Sequence, residues 1–193
     1  MSPTVSEQKE ALRKQFLSKR KALNSNEVYS KSRFISSSLI NTSSYNKAKV
    51  IHCYVSISRQ HEVETRNLIQ HMMKHGKEVV VPKMKRSGKL SHFRIDSLDQ
   101  LTENKWGVAE PRGDKVNLVR PDRIDMVIVP MVSGDMHKNR LGYGKGYYDR
   151  FLEGVNAVKA GILFDVQLYQ NELPTDTFDV KLDFLITESK IVT

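Results

Sequence analysis

Two kinds of hydrophobic spacing divide the chain near residue 49. Before it, apolar residues recur every three or four positions: Leu12, Phe16 and Leu23, then Val28, Ile35 and Leu39. That period places them on one face of a helix. It predicts a first helix over 6–23 with Ser6 as N-cap, and a second beginning at Asn24, where Glu27 stands three residues on as in a capping box. Apolar residues persist within the serine-rich stretch 36–44, so it reads as a frayed helix end rather than a linker.

From residue 49 short β-branched runs alternate with helix-sized segments, the pattern of a sheet with crossover helices. Strands are expected at Val50–Val55, at Val79–Val81 ending at Pro82, at Leu90–Ile95, at Met126–Met131, at Gly161–Phe164 and at Phe184–Thr187. Thr65–His75, with Leu68, Ile69, Met72 and Met73 before Gly76, reads as a helix with a glycine stop. Leu90–Ile95 alternates and reads as an exposed strand, whereas Met126–Met131 is continuously apolar and reads as a central strand covered on both faces. The expected fold is a three-layer α/β sandwich with a mostly parallel central sheet, Rossmann-like, of the architecture of sugar-phosphate isomerases and acyl-CoA transferases. No internal repeat interrupts it, and 193 residues suffice for one real core, so a single domain over 1–193 is expected.

Charge narrows the partners only to anions: 31 basic against 22 acidic residues leave +9. The longest apolar runs fall far short of the roughly 20 residues that span a bilayer, so no membrane partner is expected. The N-terminal residues lack a basic and then apolar leader, and a lone Cys53 excludes an internal disulfide framework; both favour the cytoplasm. Cys53, inside an expected strand, reads as a small buried hydrophobe. His71 and His75 are four apart on a helix but lack the glutamate of a zinc-protease motif, and no zinc is expected. Lys83, Lys85 and Arg86 read as a solvated turn, and no strand face interleaves aromatics with cations as RNA binding would require.

Chemistry concentrates after the Met126 strand, where ligands sit in open α/β sheets. There Arg140-Leu141-Gly142-Tyr143-Gly144-Lys145-Gly146-Tyr147-Tyr148-Asp149-Arg150 sets alternate glycines among cations. Such a backbone bends tightly and brings its N–H groups close to a phosphate. It is neither a Walker A loop, since Gly146 follows Lys145, nor a G-x-G-x-x-G turn. A plain glycine-rich turn into a helix is the alternative reading.

This eleven-residue run resembles the glycine-rich signature of the 5-formyltetrahydrofolate cyclo-ligase (5,10-methenyltetrahydrofolate synthetase) family. Lys9 to Arg13 resembles that family's basic N-terminal helix, Glu62-Val63-Glu64-Thr65 the segment after its first strand, Trp106-Gly107-Val108 with Glu110-Pro111 the stretch before its central strand, and Val180-Lys181-Leu182-Asp183 its C-terminal acidic site. Two positions depart from it: Lys138 replaces a turn glycine, and His61 stands where an acidic residue often precedes Glu62.

The resemblance implies an enzyme that uses ATP and Mg2+ to turn 5-formyltetrahydrofolate into 5,10-methenyltetrahydrofolate; a monomer is expected because no long apolar seam is left unassigned, and no nucleic-acid partner is expected because no strand face suits one. By resemblance, Lys9, Arg13, Arg140 and the stretch Gly142, Tyr143, Gly144, Lys145, Gly146, Tyr147, Tyr148 and Asp149 would bind ATP. Ile57, Glu62, Trp106, Tyr143, Gly144, Lys145, Gly146 and Tyr147 would bind the folate, whose polyglutamate tail in cells would give the positive charge a second anionic target. Lys145, Arg140 and Glu62 would be catalytic, and Asp149 and Asp183 would hold the metal. Each has a plainer alternative: Trp106 as core, Asp149 as a first-turn helix acid, Asp183 as an ordinary strand-flanking residue. A sugar-phosphate isomerase or acyl-CoA transferase, an RNA-binding module and a relative that keeps the loop without the activity are the competing readings.

Overall fold

The computed structural model describes residues 3–104, 107–112 and 117–193. Its chain begins with α1 (Val5–Lys21), α2 (Ser25–Ile40) and a short α3 (Ser43–Lys47). The N-cap of α1 is Thr4 rather than Ser6, because Thr4 has Glu7 at the third helical position and the two close a reciprocal capping box. Asn24 and Glu27 close the expected box on α2. The serine-rich stretch is not a frayed end: Thr42 caps a new turn of helix that buries Tyr45.

The main sheet then forms from β1 (Val50–Cys53), β2 (Glu78–Met84), β3 (Leu90–Ile95), β6 (Met126–Val129), β9 (Val158–Ile162), β11 (Phe184–Ile186) and β12 (Ile191–Val192). Their spatial order is β12-β11-β9-β6-β1-β2-β3. The five strands β11, β9, β6, β1 and β2 are mutually parallel, and antiparallel β12 and β3 edge them. Helix α4 (Arg66–Lys74) links β1 to β2, and α5 (Tyr147–Leu152) precedes β9. A small sheet of β7 (Ser133–Asp135), β8 (Arg140–Leu141) and β10 (Leu168–Tyr169) lies beyond β6, and β4 (Leu101–Glu103) pairs with β5 (Ala109–Pro111).

Alternation along each strand builds two apolar layers. Ile51, Cys53, Val79, Val81 and Ile128 pack with Ile35, Leu39, Leu68 and Met72 of α2 and α4. On the other face Val50, Val80, Val127 and Val129 pack with Phe151 and Leu152 of α5. The result is the expected three-layer sandwich with β6 central and buried throughout.

Three strand readings need correction. The strand expected at Gly161–Phe164 is β9, which starts at Val158 and ends at Ile162 because its pairing with β6 begins at Val158. β2 runs through Pro82 to Met84 instead of stopping, because its pairing with β1 ends at Val80 and Pro82 belongs only to the hairpin with β3. β3 is an edge strand but not an exposed one: α5 lays Phe151 over His92, with ring centroids 4.2 Å apart.

Strand order places the topological switch between β1 and β6. β1 leads through α4 to β2 on one side, and the chain later returns to add β6 on the other. The crevice beyond the carboxyl ends of β1 and β6 is the position where such sheets bind ligands.

Candidate functional site

Two loops meet over that crevice. The first leaves β1 and is tied by its own polar groups: Ser56 N–H donates to Thr65 Oγ1 (2.9 Å), Thr65 N–H to Ser56 Oγ (3.1 Å) and Thr65 Oγ1 to the Tyr54 carbonyl (2.8 Å). This closure holds Glu62 buried above the strand, with Oε2 accepting the Ile57 N–H at 2.8 Å.

The second is the glycine loop. It follows the β7–β8 hairpin, whose turn is fixed by the buried Asp135 carboxylate accepting from His137 N–H, Asn139 N–H, Asn139 Nδ2 and Leu173 N–H. Lys138, the departure from the family's turn glycine, sits in that turn at φ +66, the left-handed region that favours glycine. His61, the other departure, is likewise left-handed at φ +51.

Within the loop Gly144 (φ +83) and Gly146 (φ +66) are left-handed too, which strains any other residue there, and an arginine side chain packs against each. A Cβ on Gly144 would meet Arg13 Cζ at 3.1 Å, and one on Gly146 would meet Arg150 Nη1 at 2.7 Å. Among the described residues no protein acceptor takes the N–H of Gly144, Lys145 or Gly146, and the Lys145 ammonium has no carboxylate partner. The loop therefore presents unused donors and one unneutralised cation at the crevice.

Tyr143 joins the two loops: its phenol donates to Glu62 Oε1. The residue is 41% exposed, yet its hydroxyl is enclosed, and burial followed by the Glu62 charge pushes the phenol well above its ordinary pKa.

Helix α1 lines the crevice with cations. Lys9, Arg13, Phe16 and Arg20 fall on one face. Arg13 Nε donates to the Gly142 carbonyl at 2.9 Å, and Arg20 Nη2 donates to Tyr143 Oη at 2.9 Å. Lys9 is buried, its ammonium held by Asp176 (2.6 Å) and Asp179 (2.5 Å). Burial alone would lower its pKa, but the two carboxylates more than reverse this and leave it raised. Arg140 is buried at the start of the loop and pairs with Asp149 at its end. Tyr147 Oη donates to the Lys85 carbonyl at 3.2 Å, and Arg150 bridges the Gly88 and Lys145 carbonyls.

The structure thus brings Lys9, Arg13, Glu62, Arg140, Tyr143, Lys145 and Asp149 to one end of the sheet, with Ile57 beside Glu62. The Tyr148 ring is turned inward against His52 and Phe151, and its hydroxyl is buried without a partner among the described residues. Asp183 is not brought together with Asp149. It stands just before β11, at the amino ends of the parallel strands, and its carboxylate accepts the Lys159 N–H at 2.7 Å. Trp106 lies outside the described residues. A hollow bordered by Phe93, Arg94 and Gln100 sits at the β3 edge and involves none of these groups.

Arg20, Asp176 and Asp179 are absent from the sequence reading, and Arg150 has no role in it beyond closing the eleven-residue run. Arg20 left one readable signal: four residues after Phe16 and three before Leu23, it falls in the apolar stripe of α1, where a solvated cation would not stand. The partners of Lys9 left none, being 167 and 170 residues away.

No helix among the described residues is long and apolar enough to cross a membrane. Residues 5–188 match the model of the 5-formyltetrahydrofolate cyclo-ligase family. A probable 5-formyltetrahydrofolate cyclo-ligase of Schizosaccharomyces pombe is 33% identical over 179 residues, covering 86% of this chain and 87% of its own. The mouse 5-formyltetrahydrofolate cyclo-ligase is 28% identical over 197 residues, with 96% of each chain covered. Among solved structures, the 5,10-methenyltetrahydrofolate synthetase of Aquifex aeolicus superposes with a TM-score of 0.83 at 33% identity over 95% of this chain and 91% of that one. That of Mycoplasma pneumoniae gives 0.74 at 27%, over 93% and 98%. With the family model, the relatives' sequences and the solved folds in agreement, this chain belongs to the 5-formyltetrahydrofolate cyclo-ligase family.

Proposed function

We propose that the chain, acting as one domain, converts 5-formyltetrahydrofolate and ATP into 5,10-methenyltetrahydrofolate, ADP and phosphate. The observation that carries this reading is the convergence of Glu62 and the glycine loop through Tyr143 at the β1–β6 switch. One side of the crevice offers a carboxylate to a neutral, hydrogen-bonding heterocycle, and the other offers cations and unused N–H groups to a polyphosphate.

The reaction needs such a two-sided site. A formamide oxygen is a poor leaving group; when bound, ATP supplies the γ-phosphoryl that makes it a good one, after which N10 of the same folate closes the ring and phosphate departs. Phosphoryl transfer of this kind depends on positioning and charge neutralisation rather than covalent help from the protein. Lys145 and the Gly144–Gly146 backbone would hold the terminal phosphate and Arg13 and Arg140 its neighbours, whereas the Lys9 ammonium is already neutralised by Asp176 and Asp179. Glu62 and Ile57 would seat the reacting end of the folate.

The residues present fit a divalent ion at the loop. Magnesium usually takes one or two carboxylates with phosphate oxygens and water, and Asp149 stands at the loop's end with one oxygen engaged by Arg140. Our reading places the ion on Asp149 and the phosphates, without Asp183, which lies at the other end of the sheet.

The decisive experiment is turnover. Purified protein with ATP, Mg2+ and 5-formyltetrahydrofolate is expected to generate the near-ultraviolet absorbance of the methenyl product. No signal from a folate stock that a characterised cyclo-ligase converts would sink the reading.

A further inference from the structure

We infer that Arg20 is a positioning residue for the folate side of the site, fixing the Tyr143 phenol so that its only proton is directed onto Glu62. The inference rests on the function proposed above.

A guanidinium donates and never accepts. With Arg20 Nη2 donating to Tyr143 Oη at 2.9 Å, the phenol oxygen is the acceptor there, and its single O–H is left for Glu62 Oε1. Glu62 Oε2 takes the Ile57 N–H. Both oxygens of the carboxylate are thereby held from the protein side, which fixes its orientation. Without Arg20 the phenol could donate elsewhere, and Glu62 would lose one of the two donors that orient it.

Stability alone does not account for this arginine. It is 1% exposed, it has no carboxylate within ion-pair distance among the described residues, and its Nε has no partner. Its other contacts are the Met131 carbonyl at a long 3.4 Å and the Tyr143 ring, 5.6 Å from the guanidinium carbon. A buried cation with so little direct compensation is commonly replaceable by a hydrophobe at no loss of stability. What Arg20 does contribute is direction: it converts a two-way hydroxyl into a one-way donor.

The test is a kinetic cycle on the full-length protein. Arg20→Met is expected to raise KM for 5-formyltetrahydrofolate about tenfold, the scale of a lost hydrogen bond to a charged group, while KM for ATP changes less than twofold. Arg20→Lys, which keeps a cationic donor, should restore most of the folate affinity. Tyr143→Phe should reproduce the Arg20→Met effect, and the double variant should be no worse than Tyr143→Phe alone, because both act through one hydroxyl. A folate KM unchanged in Arg20→Met, effects that multiply in the double variant, or a parallel rise in KM for ATP would each overturn the inference. Should Arg20→Met lack a cooperative melting transition, the Tyr143→Phe arm is read by itself, and a folate KM unchanged there overturns the inference. Activity in the wild type with indifferent Arg20 variants rejects the role of Arg20 alone, whereas an inactive wild type rejects the proposed function and this role with it.

Discussion

The Arg140 guanidinium and the Asp149 carboxylate pair across the neck of the glycine loop, one at its entry and one at its exit, with side chains 3% and 24% exposed. The pair fixes the width of the loop and leaves Arg140 without another carboxylate within reach among the described residues. A largely buried ion pair costs desolvation to form, but breaking it from one side strands a charge, which destabilises by more than the pair is worth.

Asp149→Asn separates this structural role from metal binding. Its expected effects are a loss of about 1–3 kcal/mol of stability from the stranded Arg140 and a roughly tenfold rise in the Mg2+ concentration giving half-maximal rate. Adding Arg140→Met removes the stranded charge and should recover the melting temperature without recovering the metal response. A Mg2+ titration identical to wild type would show that Asp149 serves the ion pair only.

Lys145 carries the loop's unneutralised charge, so Lys145→Ala should slow turnover by about two orders of magnitude, the scale of a lost preorganised electrostatic contact, with the melting temperature within a degree or two of wild type. A rate within twofold of wild type would make the loop a structural turn.

Arg150 braces the same loop from outside. Its guanidinium bonds the Gly88 carbonyl of the β2–β3 turn (2.9 and 2.7 Å) and the Lys145 carbonyl (2.8 Å). Because these groups are exposed, Arg150→Gln lets water replace the bonds, and stability should move by less than about 1 kcal/mol. The loop, however, loses its tether to the turn bearing Lys85 and Arg86, and KM for ATP should rise several-fold through lost preorganisation. Unchanged nucleotide kinetics would confine Arg150 to the surface.

What the sequence discloses and what it hides follow from the range of each interaction. The Asn24–Glu27 box, the wholly buried Met126–Val129 strand and the tight glycine loop are set by neighbours in the chain, and patterns of a few residues reveal them. Thr4 too is readable: Glu7 stands three residues after it, where Ser6 has Lys9. By contrast, a motif says nothing about which end of a strand it occupies, so Val180–Asp183 matched a family pattern while Asp183 itself stands far from the loop. Arg20 among five other basic residues from Lys9 to Lys21 reads as one more solvated cation until Tyr143, 123 residues on, is seen to receive it.

Lys138 is a non-glycine residue at φ +66 in the hairpin that delivers Arg140. A left-handed backbone costs such a residue about 1 kcal/mol or more, and Lys138→Gly relieves this while adding some freedom to the unfolded chain. The expected net gain is about 0.5–1 kcal/mol, or roughly 1–4 °C in Tm for a chain of this size. A lower Tm would mean that the lysine side chain stabilises the turn by more than the backbone strain costs.

His52 sits in the middle of β1 with 0% exposure, and neither ring nitrogen has a hydrogen-bond partner among the described residues. It packs against His92, Tyr148 and Phe151, with centroid separations of 5.2, 6.1 and 4.9 Å. Burial, and then the neighbouring His92, holds its pKa well below that of a free imidazole; burial, and then Lys85, lowers that of His92 to about 4. Both residues fold as neutral rings, whereas the unfolded chain takes up protons near pH 6.5. Their neutral packing therefore stabilises fully above that pH, and the advantage falls away as the solution is acidified through 6.5 toward 4. His52→Leu removes one of the two proton uptakes and two orphaned polar atoms while filling similar space beneath α5. We expect a higher Tm at pH 7 and a shallower decline of Tm between pH 6.5 and 4 than in the wild type. Parallel declines in the two proteins would place the acid sensitivity in the carboxylates instead, and a lower Tm at pH 7 would show that the imidazole shape matters more than its unmet hydrogen bonds.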